Sequence, residues 1–154
     1  MKKTIAIALT AIIVTTGIAI ACFAGCAKKK ESVVHTTKAY LNQSGTVVEA
    51  TVDLTDGYSC EFARGAVYLH DEKNDTDPAM GIVLDHENYE DRVAAAQEAA
   101  DRKDFNGGFM YSEDGRMIYV THVTDDVYFG IFGDGITASE MENIVSLFTL
   151  APEI

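Results

Sequence analysis

Residues 46–62 read TVVEATVDLTDGYSCEF, and their alternation decides the fold class. Val48, Ala50 and Val52 alternate with residues of the opposite parity that include Glu49, a pattern typical of a strand that is buried on one face. Asp56-Gly57 follows, and this dipeptide is the strongest short signal for a hairpin turn. Alternation resumes after the turn, so we expect an antiparallel sheet built from hairpins.

The rest of the first half ends in a helix. The expected elements are, in order, a strand at 58–70, a polar loop at 71–78, a short strand at 79–85 and a helix at 87–103. Gly65 lies inside the first of these strands and predicts a bulge. The helix is rich in alanine and has apolar residues at helical spacing, with Asp85 or Asn88 as its N-cap.

The second half repeats this pattern. Asp114-Gly115 predicts a hairpin, and Asp125-Asp126 predicts another turn. Thr137 and Glu140 have the spacing of a capping box, and the helix that they begin has apolar residues on one face as far as Phe148. The order βββα followed by βββα predicts an α+β fold, with two helices packed on one face of an antiparallel sheet.

The N-terminal segment predicts export. Residues 4–25 carry no charge and follow Lys2 and Lys3, as in a signal peptide. Residues 23–26 read Phe-Ala-Gly-Cys, which resembles a bacterial lipobox. The resemblance implies that Cys26 is joined by a thioether to diacylglycerol, so that the chain is a lipoprotein held at a membrane or in the cell envelope, outside the cytoplasm.

Three arrangements of this leader stay open. Cys26 is one candidate for processing, Cys22 is a second, and an uncleaved signal anchor is the third, because flanking positive charges nearly balance. With Cys26 processed, the expected organisation is a signal peptide at 1–25, a lipidated cysteine and tether at 26–44, and a single α+β domain at 45–154. The side chains of Lys28, Lys29 and Lys30 would then lie among the lipid headgroups, each contributing about 1 kcal/mol with anionic lipid.

The charge distribution excludes one class of partner. From residue 31 onward the chain has 24 acidic and seven basic residues, a formal charge of −17. Nucleic acid is excluded as a partner, because its binding needs a basic surface. Acidity of this kind is typical of a soluble domain, and it also fits an inhibitor or immunity-type protein whose acidic face binds a basic partner.

The residues that bind metals are scattered. His35, His70, His86 and His122 occur without an HExxH or a paired-cysteine motif, so we expect no metal site, no cofactor and no catalytic residue. The alternative is a small metal-dependent hydrolase that uses the last three histidines with nearby carboxylates. The loop at 71–78 (DEKNDTDP) has oxygen atoms suited to calcium, but it lacks the glycine and spacing of an EF-hand and predicts a solvated turn.

Aromatic residues give the remaining binding candidates. Tyr111, Tyr119 and Tyr128 either fill the core or line a groove for a glycan, a peptide or a small apolar ligand. Cys60 has no partner once the leader cysteines are processed, and its apolar neighbours predict a buried thiol. The sequence therefore predicts a membrane-anchored protein that binds a ligand or a protein partner without catalysis.

Overall fold

The structure, a computed structural model, describes residues 36–43, 46–55 and 57–152. The predicted signal peptide, Cys22 and Cys26 lie outside these residues. Within them the chain forms ten strands and two helices. The elements are, in order, β1 (Thr36–Gln43), β2 (Thr46–Asp53), β3 (Tyr58–Ala63), β4 (Ala66–Asp71), β5 (Thr76–Leu84), α1 (His86–Glu98), β6 (Lys103–Phe105), β7 (Gly108–Glu113), β8 (Arg116–Thr124), β9 (Val127–Asp134), α2 (Ala138–Leu147) and β10 (Phe148–Pro152).

The strands form two antiparallel sheets. The smaller sheet has the order β1-β2-β10, and the larger has the order β3-β4-β5-β9-β8-β7-β6. The smaller sheet and α2 pack on one face of the larger sheet, here called the inner face, and α1 packs on the opposite, outer face. The α+β class, the antiparallel pairing and the two helices are confirmed, but the predicted order of three strands per helix is too short. The prediction that both helices pack on one face is wrong, because the smaller sheet takes part of the inner face and α1 covers the other.

The inner core confirms the predicted alternation in β2. Val48, Ala50 and Val52 are fully buried between the two sheets. Met141 and Ile144 of α2 join them, one turn apart on the helix, and are also buried. Full burial of each large apolar side chain contributes about 1.5–3 kcal/mol, so this core fixes the smaller sheet on the larger one.

Two tight turns test the predicted hairpins: one confirms a prediction, and the other corrects one. The Asp114-Gly115 hairpin is confirmed, because both residues have positive φ (50° and 80°), as a type I′ turn requires. Arg64 and Gly65 also have positive φ (53° and 77°), and they connect β3 to β4. The predicted strand at 58–70 is therefore a hairpin, and the bulge predicted at Gly65 is wrong.

The Asp56-Gly57 hairpin is also wrong. Although Asp56 itself lies outside the described residues, the strands before and after it, β2 and β3, belong to different sheets. β2 pairs instead with β1 and with the distant β10. The segment at 54–57 therefore connects the two sheets.

Element boundaries need four further corrections. The tether predicted at 26–44 is wrong for Thr36–Gln43, because β1 pairs along its whole length with β2. The polar loop at 71–78 is shorter than predicted, since β5 already begins at Thr76. The N-cap at Asp85 is confirmed, but α1 ends at Glu98, well before Lys103. The chain after α2 pairs with β2 as β10, although helical spacing had predicted that the helix continues.

Candidate functional site

Helix α1 covers only part of the outer face. Its small apolar residues, such as Ala96, pack on Phe109, Ile118 and Val120 from β7 and β8. The outer faces of β4 and the first part of β5 lie beyond the reach of the helix, and apolar side chains there remain partly exposed. The uncovered part of this face forms a depression, here called the outer groove.

The outer groove has a volume of about 540 Å³ and an apolar floor. The floor is formed by Tyr68, Met80, Ile82, Leu84 and Phe132, which come from three adjacent strands. Among residues 46–55 and 57–152, Tyr68, at 38% exposure, is the one large hydrophobic side chain that is exposed. The volume lies within the range of about 300–1,000 Å³ that is typical of small-molecule sites.

Charged side chains lie at both ends of the groove. At one end the Nε atom of Arg116 donates to the carboxylate of Asp134 over 2.7 Å, across a register pair of β8 and β9. At the other end His70 Nδ1 lies 2.8 Å from Asp77 Oδ1. This hydrogen bond raises the pKa of His70, and the negative charge of Glu72 adds to the rise.

Two further depressions adjoin the groove. One, of about 360 Å³, shares Tyr68 and Asp77 with it and reaches Glu61 on β3. The other, of about 320 Å³, shares Arg116 with it and reaches Glu113 at the β7–β8 hairpin. The three depressions therefore form a continuous surface across the outer face, from β3 to that hairpin.

A cluster of two tyrosines and two histidines fixes α1 beside the groove. The rings of Tyr89 and Tyr128 stack with centroids 4.0 Å apart. The hydroxyl of Tyr89 lies 2.7 Å from Nε2 of His122, and the hydroxyl of Tyr128 lies 3.1 Å from Nδ1 of His86. Burial raises the pKa of Tyr89, and the neighbouring Tyr128 adds to the rise, so the phenol of Tyr89 stays neutral. The cluster binds α1 to the end of the β8–β9 hairpin.

The three tyrosines suggested as binding residues all lie in the core. Tyr111, Tyr119 and Tyr128 are at most 5% exposed. Their hydroxyls have partners, since Arg92 donates to Tyr111 over 3.4 Å, and Tyr119 donates to a backbone carbonyl. They support α1 and the two sheets, and they leave the surface of the outer groove to other residues.

The structure separates the histidines suggested for a hydrolase. His86 and His122 both contact the ring of Tyr128, whereas His70 pairs with Asp77 at the groove. Over the described ranges, no three side chains from histidine, cysteine, aspartate and glutamate are grouped as a metal site requires. His35 lies outside those ranges.

The first carboxylate of the acidic turn between β4 and β5, that of Asp71, stabilises the turn itself. Asp71 accepts hydrogen bonds from the backbone N–H groups of Lys73 and Asn74 and from the Asn74 side chain. These bonds lower the pKa of Asp71, with the Asn74 side chain having the largest effect. The turn is closed by its own residues and therefore agrees with the solvated turn that the sequence predicted.

Cys60 is half-buried against the inner core and forms no disulfide. Burial raises the pKa of its thiol to about 11, so the thiol stays protonated at neutral pH. This placement agrees with a packing role. Cys26, the predicted lipidation site, lies outside the described residues.

Sequence reasoning missed the floor of the outer groove. The strand predicted at 79–85 (AMGIVLD) is almost wholly apolar, a pattern typical of burial on both faces. That pattern cannot show that the helix stops short of Met80 and Ile82.

Within the described part of the chain, no helix is long and apolar enough to span a membrane. Comparisons with protein-family models, with curated proteins and with solved structures gave no match.

Proposed function

We propose that this chain is an exported, lipid-anchored protein whose folded domain binds an apolar part of a ligand or a protein partner in the outer groove, without catalysis. One observation carries the proposal: the outer face has an apolar groove that no element of the described chain covers. Patches of this kind on a soluble domain mark binding sites more often than they mark ordinary surface.

The composition of the groove supports binding. Tyr68 and Met80 offer a partly exposed aromatic ring and a flexible thioether, two side chains that are enriched in protein interfaces. The polar groups at the ends, Arg116 with Asp134 and His70 with Asp77, are already paired. The apolar floor therefore supplies the affinity, and the charged ends orient the ligand.

The leader supports the location. The lipobox-like Phe-Ala-Gly-Cys sequence ends at Cys26, and the described domain begins at Thr36. The residues from 27 to 35 span at most about 30 Å when fully extended. With acyl chains on Cys26, the domain would stay within that distance of the bilayer surface.

A photo-crosslinking experiment tests the groove. The full-length chain, reconstituted in nanodiscs of neutral phosphatidylcholine, is irradiated with a short capped apolar peptide that carries a benzophenone group. We expect the crosslinks to map to Met80, Ile82 or Phe132, because these side chains form the floor. Tyr68→Ser should reduce crosslinking and Tyr68→Phe, which keeps the ring, should not. Crosslinks that are spread evenly over the domain would contradict the proposal.

Labelling with an alkyne fatty acid in a bacterial host tests the anchor. We expect the wild-type chain and the Cys22→Ser variant to carry the label in the membrane fraction, and the Cys26→Ser variant to lose it. Loss of label in Cys22→Ser alone would move the lipidation site to Cys22. An unlabelled wild-type chain would contradict lipid anchoring but would leave the groove proposal intact.

A further inference from the structure

We propose that the partner presents to the outer groove a basic amphipathic peptide segment, with apolar side chains on the floor and lysine or arginine at the acidic end beside β3. The inference rests on the proposed binding function of the groove. It adds the chemical class of the occupant, which that proposal leaves open.

The dimensions favour an extended peptide. The surface formed by the three depressions crosses the sheet from β3 over β4, β5 and β9 to β8, which is four interstrand spacings. At about 4.8 Å each, these spacings give a length of roughly 19 Å, or about six residues of extended chain. A single small apolar molecule would fill the floor and leave both adjoining depressions empty.

The charges favour a basic occupant. At the β3 end, Asp77 has its side chain 80% exposed, and Asp75, in the adjacent turn, is 99% exposed. Glu61 is exposed on β3 in the same depression and makes no ion pair within the described residues. His70 is the one basic side chain that lines this depression, so carboxylates are in excess.

The opposite end does not reverse this balance. Arg116 is paired with Asp134, and Arg92 is paired with Glu113. Asp114, which lines the same depression, makes no ion pair within the described residues. An anionic or neutral occupant would bring no counter-charge to the carboxylates that it desolvates, whereas a lysine or arginine would pair with them. The charge of −17 from residue 31 onward draws a basic partner from a distance.

Three matched peptides test the inference on the full-length chain in neutral nanodiscs, with empty nanodiscs as the blank. Each has an apolar Leu-Phe-Leu centre and a benzophenone group, and the centre is flanked by lysine, by glutamine or by glutamate. We expect the lysine peptide to bind about tenfold more tightly than the glutamine peptide, and the glutamate peptide to bind more weakly than both. The advantage of lysine should shrink as salt rises from about 0.05 to 0.5 M, since screening weakens exposed charge pairs.

Variants locate the effect. The double variant Glu61→Gln with Asp77→Asn should weaken the lysine peptide about three- to tenfold more than it weakens the glutamine peptide. Glu98→Gln with Asp126→Asn removes the same charge from exposed positions outside the three depressions, and should change neither. Glu61→Gln alone, which disturbs no described ion pair, should show part of the effect. Unchanged thermal midpoints would confirm that the variants are folded.

The outcomes separate the two proposals. If the glutamine peptide binds as tightly as the lysine peptide and crosslinks to the floor, the charge inference fails and the groove function stands. If neither crosslinks there, both fail. If the control double variant weakens the lysine peptide by the same factor, the effect is general electrostatic attraction and the inference fails. The inference also fails if changing Lys28, Lys29 and Lys30 to glutamine makes the lysine peptide bind much more tightly, because the chain's own lysines would then be the occupant.

Discussion

The substitution Gly108→Ala tests the backbone contact that holds the β7–β8 hairpin, on which α1 packs beside the groove. Gly108 begins β7 and pairs with Thr121. A Cβ atom added at Gly108 would lie 2.2 Å from the carbonyl oxygen of Val120 and 2.9 Å from the Cβ of Thr121. A backbone oxygen cannot rotate aside, so β7 and β8 would have to separate by about 1 Å to reach an ordinary carbon–oxygen contact.

We expect Gly108→Ala to lower the free energy of unfolding by about 3 kcal/mol, the upper end of the usual cost of overpacking. Gly115→Ala is the matched control in the turn of the same hairpin. Its added Cβ meets no atom within 4 Å, but its φ of +80° is left-handed. That backbone conformation costs alanine about 1 kcal/mol.

Urea denaturation followed by far-ultraviolet circular dichroism measures both losses. The expected gap between the two variants is about 2 kcal/mol, with similar urea dependence of the unfolding free energy. Equal losses would refute the reasoning, because they would mean that backbone conformation, and not the contact with the Val120 carbonyl, sets the cost. A loss below about 1 kcal/mol for Gly108→Ala would refute the close approach itself.

Three further predictions follow from single contacts. Thr137→Ala removes the N-cap of α2 and should cost about 1 kcal/mol in the same denaturation assay, whereas Thr137→Ser should restore most of it. The pKa of His70 is raised, so the stability from its contact with Asp77 is complete below the ordinary histidine pKa of about 6.5 and is lost as pH rises through the raised value. An NMR titration should show this pKa fall in Asp77→Asn; an unchanged pKa would contradict the assignment. Alkylation of Cys60 at pH ~8, read by peptide mapping, should be at least about tenfold slower in the folded chain than in urea, and equal rates would exclude burial of the thiol.

Local patterns predicted the parts of the fold that depend on neighbouring residues. The alternation in β2, the N-cap at Asp85 and the capping box at Thr137 each arise from side chains a few positions apart, and all three are confirmed. Hairpins depend on the turn and on the identity of the paired strand. The Asp114-Gly115 hairpin was therefore predicted correctly. The pairing of the two strands beside Asp56-Gly57 was not, because β2 pairs with β1 and with β10, which is distant in sequence.

The missed strands show the same limit. Phe148 continues the helical spacing of α2, so the pattern extended the helix into residues that pair with β2. Tyrosine suits a core and an interface equally well, and only the burial of Tyr111 and Tyr119 in the structure shows that these two belong to the core. Tyr68 has the same chemistry, but it lies on a part of the outer face that α1 does not cover.

The groove follows from the ratio of sheet width to helix diameter. Seven strands at about 4.8 Å spacing give the larger sheet a width of roughly 29 Å, whereas one helix with its side chains is about 10 Å across. On the inner face, α2 and the smaller sheet together cover this width. On the outer face α1 is the one covering element of the described chain, so a strip of apolar surface over β4 and β5 stays open whatever side chains line it. An occupant that covers Tyr68 and Met80 would complete the layer that the fold lacks, and it should therefore raise the free energy of unfolding by an amount that grows with the logarithm of its concentration divided by its Kd.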